Sequence, residues 1–85
     1  MNPESAQEIR LKRLYFRSQH RGNKEMDIVL GKFAEAHLRT LEPGLLDIYE
    51  RLLEEDDVYL WDWLVGKTAP PEEYAPLFAM MHFAA

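Results

Sequence analysis

The chain has 85 residues, of which 47% are hydrophobic, and this is enough for one hydrophobic core but not for two. It contains no cysteine, which excludes disulfides, thiolate nucleophiles and cysteine-ligated zinc. A domain this small has little interior for an enclosed active site, so its functional surfaces should lie on the outside. The composition therefore favours a single domain over residues 1–85 that docks to a partner, and it argues against an enzyme.

The charge is distributed unevenly along the chain. The formal net charge is −5, yet residues 1–24 carry six Lys or Arg against two acids, and residues 25–85 carry four against thirteen. No stretch approaches the roughly 18 apolar residues of a membrane span, and the N-terminus lacks the apolar run of an export signal. We therefore expect a cytoplasmic protein whose bipolar surface suits a protein partner.

The first helix is predicted to begin at the end of a short N-terminal extension, residues 1–7. Ser5 and Glu8 have the spacing of a capping box, in which both side chains satisfy backbone donors at a helix start. Small and apolar residues then recur at helical spacing and predict a packed face: Leu11, Leu14, Tyr15 and Ser18. The helix should end near Gln19, because Gly22 readily adopts the positive φ that closes a helix.

Two further helices are predicted in the middle of the chain. The second starts at Lys24 and keeps its apolar spacing as far as Leu41, although Gly31 lies inside it at a cost of about 1 kcal/mol relative to alanine. The third starts at Pro43, since proline suits the first position of a helix. It should end at the acidic segment 54–57.

The C-terminal third predicts two short helices. Asp56 or Asp57 should cap a helix over residues 58–65, which Gly66 would stop. A last helix is predicted within residues 68–85, where Pro76 would disrupt a helix interior. The whole pattern is typical of an all-α bundle of five short helices.

Trp61 and Trp63 lie in the predicted fourth helix. Their side chains point about 200° apart, so both cannot be buried on one face. We therefore expect one of them to stay partly exposed beside the acidic segment, where it would suit the anchoring of a partner.

The first candidate site is the corner between the first two helices, with the sequence Arg-Gly-Asn-Lys-Glu at residues 21–25. Arg21 would place a positive charge at the positive end of the second helix, and it precedes Glu25 in the less favourable order for an ion pair. Local stability therefore gives no reason for Arg21. Its guanidinium could instead bind a carboxylate or phosphate of a partner, while Gly22 would let another backbone approach. The simpler alternative is a helix stop, a first-turn acid and a solvated arginine.

Patterns for catalysis or for a metal are missing from the sequence. The acidic segment 54–57 lacks the alternating oxygens and central glycine of a calcium loop, and is predicted to be a helix cap and a solvated corner. The histidines His20, His37 and His82 have no metal-ligand spacing, and His37 is predicted to pack on the apolar face of the second helix. No glycine loop for phosphate is present. We predict no catalytic residue and no metal.

A basic stripe on the first helix keeps nucleic-acid binding open as an alternative. Arg10, Arg13, Arg17 and Arg21 could follow a phosphate backbone. The thirteen acids in the rest of the chain would repel a polyanion, however, so the charge distribution favours a protein partner.

Four segments taken together resemble one known family. In chain order they are HRGNKEMD at 20–27, LGKF at 30–33, YERLLEEDD at 49–57 and WLVG at 63–66. In this order they resemble the succinate dehydrogenase assembly factors, also called FAD assembly factors or flavinators. The resemblance extends over residues 8–67, and residues 68–85 match weakly.

The resemblance implies a five-helix chaperone that binds the flavoprotein subunit of succinate dehydrogenase, and in some bacteria that of fumarate reductase. It would promote the covalent attachment of FAD to a histidine of that subunit, and would hold no cofactor stably itself. The family signature falls on Arg21, Gly22 and Glu25, which the resemblance marks as partner-binding. Three further residues match the family and are included in the implied site: Asp27, Asp56 and Asp57. An antitoxin-like interaction role, described for similar proteins, is the second interpretation.

Overall fold

The computed structural model describes residues 5–81, and its helices follow the predicted order. They are α1 (Ala6–Gln19), α2 (Lys24–His37), α3 (Pro43–Leu52), α4 (Asp57–Leu64) and α5 (Ala75–Met80). A 3-10 turn, Leu38–Thr40, follows α2, and another, Glu72–Tyr74, precedes α5. Residues 5–81 contain no strand, and the predicted all-α fold of five helices in one globule is confirmed.

Three of the five helices, α1, α2 and α4, start at a side chain that accepts a backbone hydrogen bond. The Ser5 hydroxyl accepts the N–H of Glu8 at 3.1 Å, as expected for the predicted cap of α1. The Asp56 carboxylate accepts the N–H of Val58 at 2.9 Å, so Asp56 rather than Asp57 caps α4. Each cap satisfies a donor that the first helical turn leaves without a partner.

The core is built from the inward faces of all five helices. Its buried apolar members are Leu11, Leu14, Met26, Leu30, Phe33, Ala34, Leu38, Leu46, Tyr49, Leu52, Leu53, Leu60, Leu64, Tyr74, Leu77 and Met81. Ser18 is the buried polar residue of residues 5–81, and its hydroxyl donates to the Leu14 carbonyl at 2.7 Å. Tyr49 of α3 is hydrogen-bonded to the same hydroxyl. This pair joins α1 to α3 inside the core.

Gly31 has a packing role that the sequence did not indicate. The residue is buried in the middle of α2, which continues through it from Lys24 to His37. A Cβ added there would lie 3.2 Å from Cγ of Gln19, the last residue of α1. The missing side chain lets the two helices approach closely, and this offsets the propensity cost of glycine. Beyond it, His37 packs its ring against Phe33, as the sequence predicted.

Two predicted details were wrong. The second helix does not reach Leu41, because a 3-10 turn replaces its last part. The fifth helix starts at Ala75, so Pro76 lies in its first turn, where a missing N–H removes no helical hydrogen bond. Both tryptophans of α4 are half-buried, so the predicted partial exposure applies to each of them, and the most exposed aromatic residue of that helix is Tyr59. The predicted C-terminal segment 68–85 and the histidine at position 82 extend outside the described residues.

Candidate partner-binding corner

Arg21 joins two of the inter-helix corners, the one between α1 and α2 and the one between α3 and α4. Its Nε lies 2.7 Å from Oδ1 of Asp57, at the start of α4. Its two terminal nitrogens donate to the backbone carbonyls of Leu53 and Glu55, each at 2.7 Å, just beyond the end of α3. We call this set of contacts the Arg21 junction. One guanidinium thus ties the corner after α1 to the corner between α3 and α4.

Local stability gave no reason for this arginine, and the Arg21 junction supplies a long-range one. The Arg21 side chain is 12% exposed, and its fork is filled by acceptors of its own chain. The two carbonyls lie at the negative end of α3, where a cation is favourable. The solvated arginine of the simpler alternative is also excluded. Arg21, which the resemblance marks as partner-binding, therefore joins two corners of the fold.

The corner between α1 and α2 is fixed by its own short-range contacts. Asp27 of α2 accepts the backbone N–H of Arg21 at 2.7 Å, and Asn23 accepts the N–H of Met26 at 3.2 Å as the cap of α2. Gly22 between them has φ +90°, a conformation that favours glycine. A Cβ added to Gly22 would meet no atom within 4 Å, so the space outside it is open.

Two acids of the predicted site face solvent beside this corner. Glu25 lies in the first turn of α2, is exposed, and makes no hydrogen bond or ion pair with the rest of residues 5–81. Asp56 is exposed as well and uses its carboxylate to cap α4. An exposed acid without a partner is free to bind a cationic group of another molecule.

The six predicted residues divide into two roles. Asp27 and Asp57 each accept a hydrogen bond from Arg21, Asp27 from its backbone N–H and Asp57 from its guanidinium, so these three residues fix the corner. The others form the accessible part of the corner, and we call them the corner surface: Gly22, Glu25 and Asp56. The structure brings the two sequence segments 21–27 and 56–57 together, which their separation in the chain does not require.

The acidic segment 54–57 was predicted to be a helix cap and a solvated corner. Asp56 is the cap and is exposed, whereas the other three acids are paired within the chain. Glu54 forms an ion pair with Arg17 at 2.8 Å. Glu55 accepts the hydroxyl of Tyr74 at 2.7 Å, which holds the C-terminal part of the chain against the corner. Burial, and then this hydrogen bond, raise the pKa of the Tyr74 hydroxyl. Sequence reasoning missed Tyr74, because its apolar spacing indicated only a core residue.

The basic stripe of α1 faces the acidic side of α3. Arg10 lies 2.6 Å from Asp47 and 2.8 Å from Glu50, and Arg17 pairs with Glu54. We call these pairs the α1–α3 seam. Three of the four arginines proposed for a phosphate backbone are therefore engaged by the chain's own acceptors. This removes most of the support for nucleic-acid binding.

The described part of the chain has neither a metal-binding cluster nor a membrane-spanning helix. Among residues 5–81, no group of three His, Asp or Glu side chains is placed to hold a metal ion. Within the same residues, no helix has the length and the apolar character needed to cross a membrane.

Comparison with known proteins gives a consistent picture. Residues 12–84 match the family model described as flavinator of succinate dehydrogenase. The chain is 46% identical over 66 residues to the FAD assembly factor SdhE of Acetobacter pasteurianus, covering 78% of this chain and 61% of that protein. It is 40% identical over 50 residues to the protein of the same name from Coxiella burnetii, covering 59% and 61%.

A plant relative has a different name. The mitochondrial succinate dehydrogenase assembly factor 2 of Arabidopsis thaliana is 31% identical over 74 residues, which cover 85% of this chain and 39% of that protein. The chain thus spans less than two thirds of the length of these relatives. No solved structure matches it.

Proposed function

Since the chain belongs to the family of flavinators of succinate dehydrogenase, we propose that it binds the flavoprotein subunit of that enzyme and promotes covalent attachment of FAD to it. The names of the relatives, FAD assembly factor and succinate dehydrogenase assembly factor, support this assignment. The chain acts as a chaperone in the cytoplasm, and the flavoprotein rather than this chain holds the flavin.

The geometry of the corner between α1 and α2 supports the assignment of partner binding to particular residues. The open corner surface of Gly22, Glu25 and Asp56 lies on a corner that the Arg21 junction holds fixed. A preorganised surface loses little conformational entropy when a partner binds, so more of the contact energy appears as affinity. Gly22 allows close approach of a backbone of the flavoprotein, and Glu25 offers a carboxylate to one of its cations.

The mechanism we propose is positional. The chain binds a form of the flavoprotein in which the flavin and the acceptor histidine are correctly oriented, and binding shifts the flavoprotein population towards that form. Correct orientation of two reacting groups is worth several powers of ten in rate, so no nucleophile of the chain is needed. Arg21, Asp27 and Asp57 contribute by keeping the corner surface in shape.

Co-expression with the succinate dehydrogenase flavoprotein tests the proposal. Covalent flavin is read as fluorescence of the flavoprotein band on a denaturing gel, without the chain and with it. We expect the band to brighten when the chain is present. An equally bright band in its absence would contradict the proposed function.

Two glutamate variants locate the activity on the surface of α2. Glu25→Ala removes the free carboxylate of the corner surface, and Glu35→Ala removes another exposed acid of the same helix, outside that surface. We expect Glu25→Ala to lower covalent flavin severalfold and Glu35→Ala to leave it unchanged, with both proteins folded by circular dichroism. Equal activity of the two variants would exclude Glu25 from the contact.

A further inference from the structure

The outer face of α4 exposes apolar side chains that the fold does not use. Val58 is 66% exposed, Tyr59 is 59% exposed and Val65, directly after the helix, is 44% exposed. Helical spacing places them opposite Leu60 and Leu64, the residues by which α4 joins the core. Contiguous exposed apolar groups on a small protein indicate an interaction site, whereas single exposed apolar residues do not.

A single carboxylate lies among these apolar groups. Asp62 follows Val58 by four residues and Tyr59 by three, and therefore lies on the same side of the helix. Its carboxylate makes no hydrogen bond or ion pair within residues 5–81. We call these four residues the α4 face: Val58, Tyr59, Asp62 and Val65.

The ring of Tyr59 packs against an aromatic cluster. Its centroid lies 6.4 Å from that of Trp63, and the Trp63 centroid lies 5.8 Å from that of Tyr74 and 6.2 Å from that of Phe78. This support limits the movement of an exposed ring. A tyrosine that is already ordered makes a good anchor at an interface, because little entropy is lost when it is covered.

The negative charge of the segment that contains α4 indicates which kind of partner can bind there. Residues 52–66 contain five carboxylates and no lysine or arginine. Arg51 and Lys67 border this segment, so residues 51–67 together carry a net charge of −3. Arg17 and Arg21, which approach the segment from elsewhere in the chain, are paired with Glu54 and Asp57. An anionic membrane or a nucleic acid would be repelled, whereas a cation flanked by apolar groups would be complementary to the α4 face.

We propose that the α4 face is a second docking surface for the flavoprotein, where it binds an arginine or lysine that lies between apolar side chains of the client. The inference rests on the proposed function. The two surfaces are continuous, because the carboxylate of Asp56 in the corner surface accepts the N–H of Val58 in the α4 face at 2.9 Å. The client therefore covers the corner surface and the α4 face together.

Binding of the purified flavoprotein subunit, measured by titration calorimetry, tests the proposal. Tyr59→Ser removes the anchor and Asp62→Lys reverses the central charge. We expect each change to weaken binding and so raise the dissociation constant about tenfold or more, as at other interface hot spots. Phe16→Ser is the matched control, since Phe16 of α1 is an aromatic residue of similar exposure, 61%, outside both surfaces. It should change the constant less than either variant.

The outcomes separate this inference from the proposed function. If the wild-type chain binds and the Tyr59 and Asp62 variants bind equally well, the α4 face is not a docking surface, although the proposed function stands. If the wild-type chain does not bind the flavoprotein, both proposals are wrong. Sedimentation of the chain alone tests whether a second copy of the chain, and not the flavoprotein, binds the α4 face. A dimer that Asp62→Lys dissociates would assign the face to a second copy and overturn the inference.

Discussion

The Arg21 junction and the α1–α3 seam use the same chemistry in different surroundings. Both pair an arginine from the α1 region with carboxylates that follow it by more than 30 residues. At the junction the side chains of Arg21 and Asp57 are 12% and 35% exposed, and two carbonyls complete the guanidinium's bonding. At the seam Arg17 and Glu54 are 35% and 71% exposed, and only the ion pair is made.

The difference shows why residue type alone does not predict the importance of an arginine. Water screens the pairs of the seam and competes for their hydrogen bonds, so each contributes little to stability. The junction is partly shielded from water, and removal of Arg21 leaves three partly buried acceptors without a donor. The comparison therefore predicts unequal effects for similar substitutions.

The largest effect is expected for Arg21→Ala. This change leaves Asp57 and two carbonyls at the junction without their donor, and should lower the free energy of unfolding by about 3 kcal/mol. Urea unfolding followed by circular dichroism would measure it. Arg21→Lys should recover only part of the loss, because an ammonium cannot span the same three acceptors. A loss no larger than that of a seam variant would contradict the conclusion that the Arg21 junction contributes more to stability than the ion pairs of the seam.

The hydrogen bond between the uncharged side chains of Ser18 in α1 and Tyr49 in α3 provides the next prediction. Burial raises the pKa of Tyr49 to about 12, while its hydrogen bond with Ser18 opposes the shift. The unfolded chain therefore loses this proton first, near the ordinary pKa of about 10. Stability is intact below pH 10 and should fall by about 2 to 3 kcal/mol by pH 12.

Tyr49→Phe separates this effect from other alkaline changes. The variant should be less stable at neutral pH, because it loses the bond to Ser18, but should show a shallower decline between pH 10 and 12. Tyr74, whose pKa is also raised, contributes to the decline that persists. An unchanged slope in the variant would show that Tyr49 does not control the alkaline response.

Gly22→Ala should have an effect of about 1 kcal/mol on the stability of the corner. Nothing lies within 4 Å of the added Cβ, so the cost comes only from the φ of +90°. Gly66→Ala, at φ +79° and with equally open space, is the control and should cost a similar amount. Thermal unfolding compares the two. A much larger loss for Gly22→Ala would reveal a contact that the geometry does not contain.

The smallest effect is expected for Arg17→Ala at the seam. The free energy of unfolding should fall by less than about 1 kcal/mol, and raised salt should reduce the difference further. Urea unfolding at low and high salt gives both values. A loss as large as that for Arg21→Ala would mean that burial does not set the rank of these arginines.

The sequence predicts the local structure well and the long-range contacts poorly. Ser5, Gly22 and Pro43 act within one or two turns of the chain, so their spacing was enough to locate helix ends. The partners of Arg21 lie 32 to 36 residues away, and no periodicity indicates them. Tyr59 was missed for the same reason, because burial on α4 depends on which helices cover it.

We propose that Arg21 supports the corner surface through Asp57 and does not itself bind the flavoprotein. Covalent flavin formed with Arg21→Ala, Asp57→Ala and the double variant tests this, at a temperature at which circular dichroism shows all three folded. We expect the double variant to lose no more activity than Arg21→Ala alone, because Asp57→Ala removes only an acceptor that Arg21→Ala has already left without its donor. Additive losses would instead show that Arg21 contacts the flavoprotein directly.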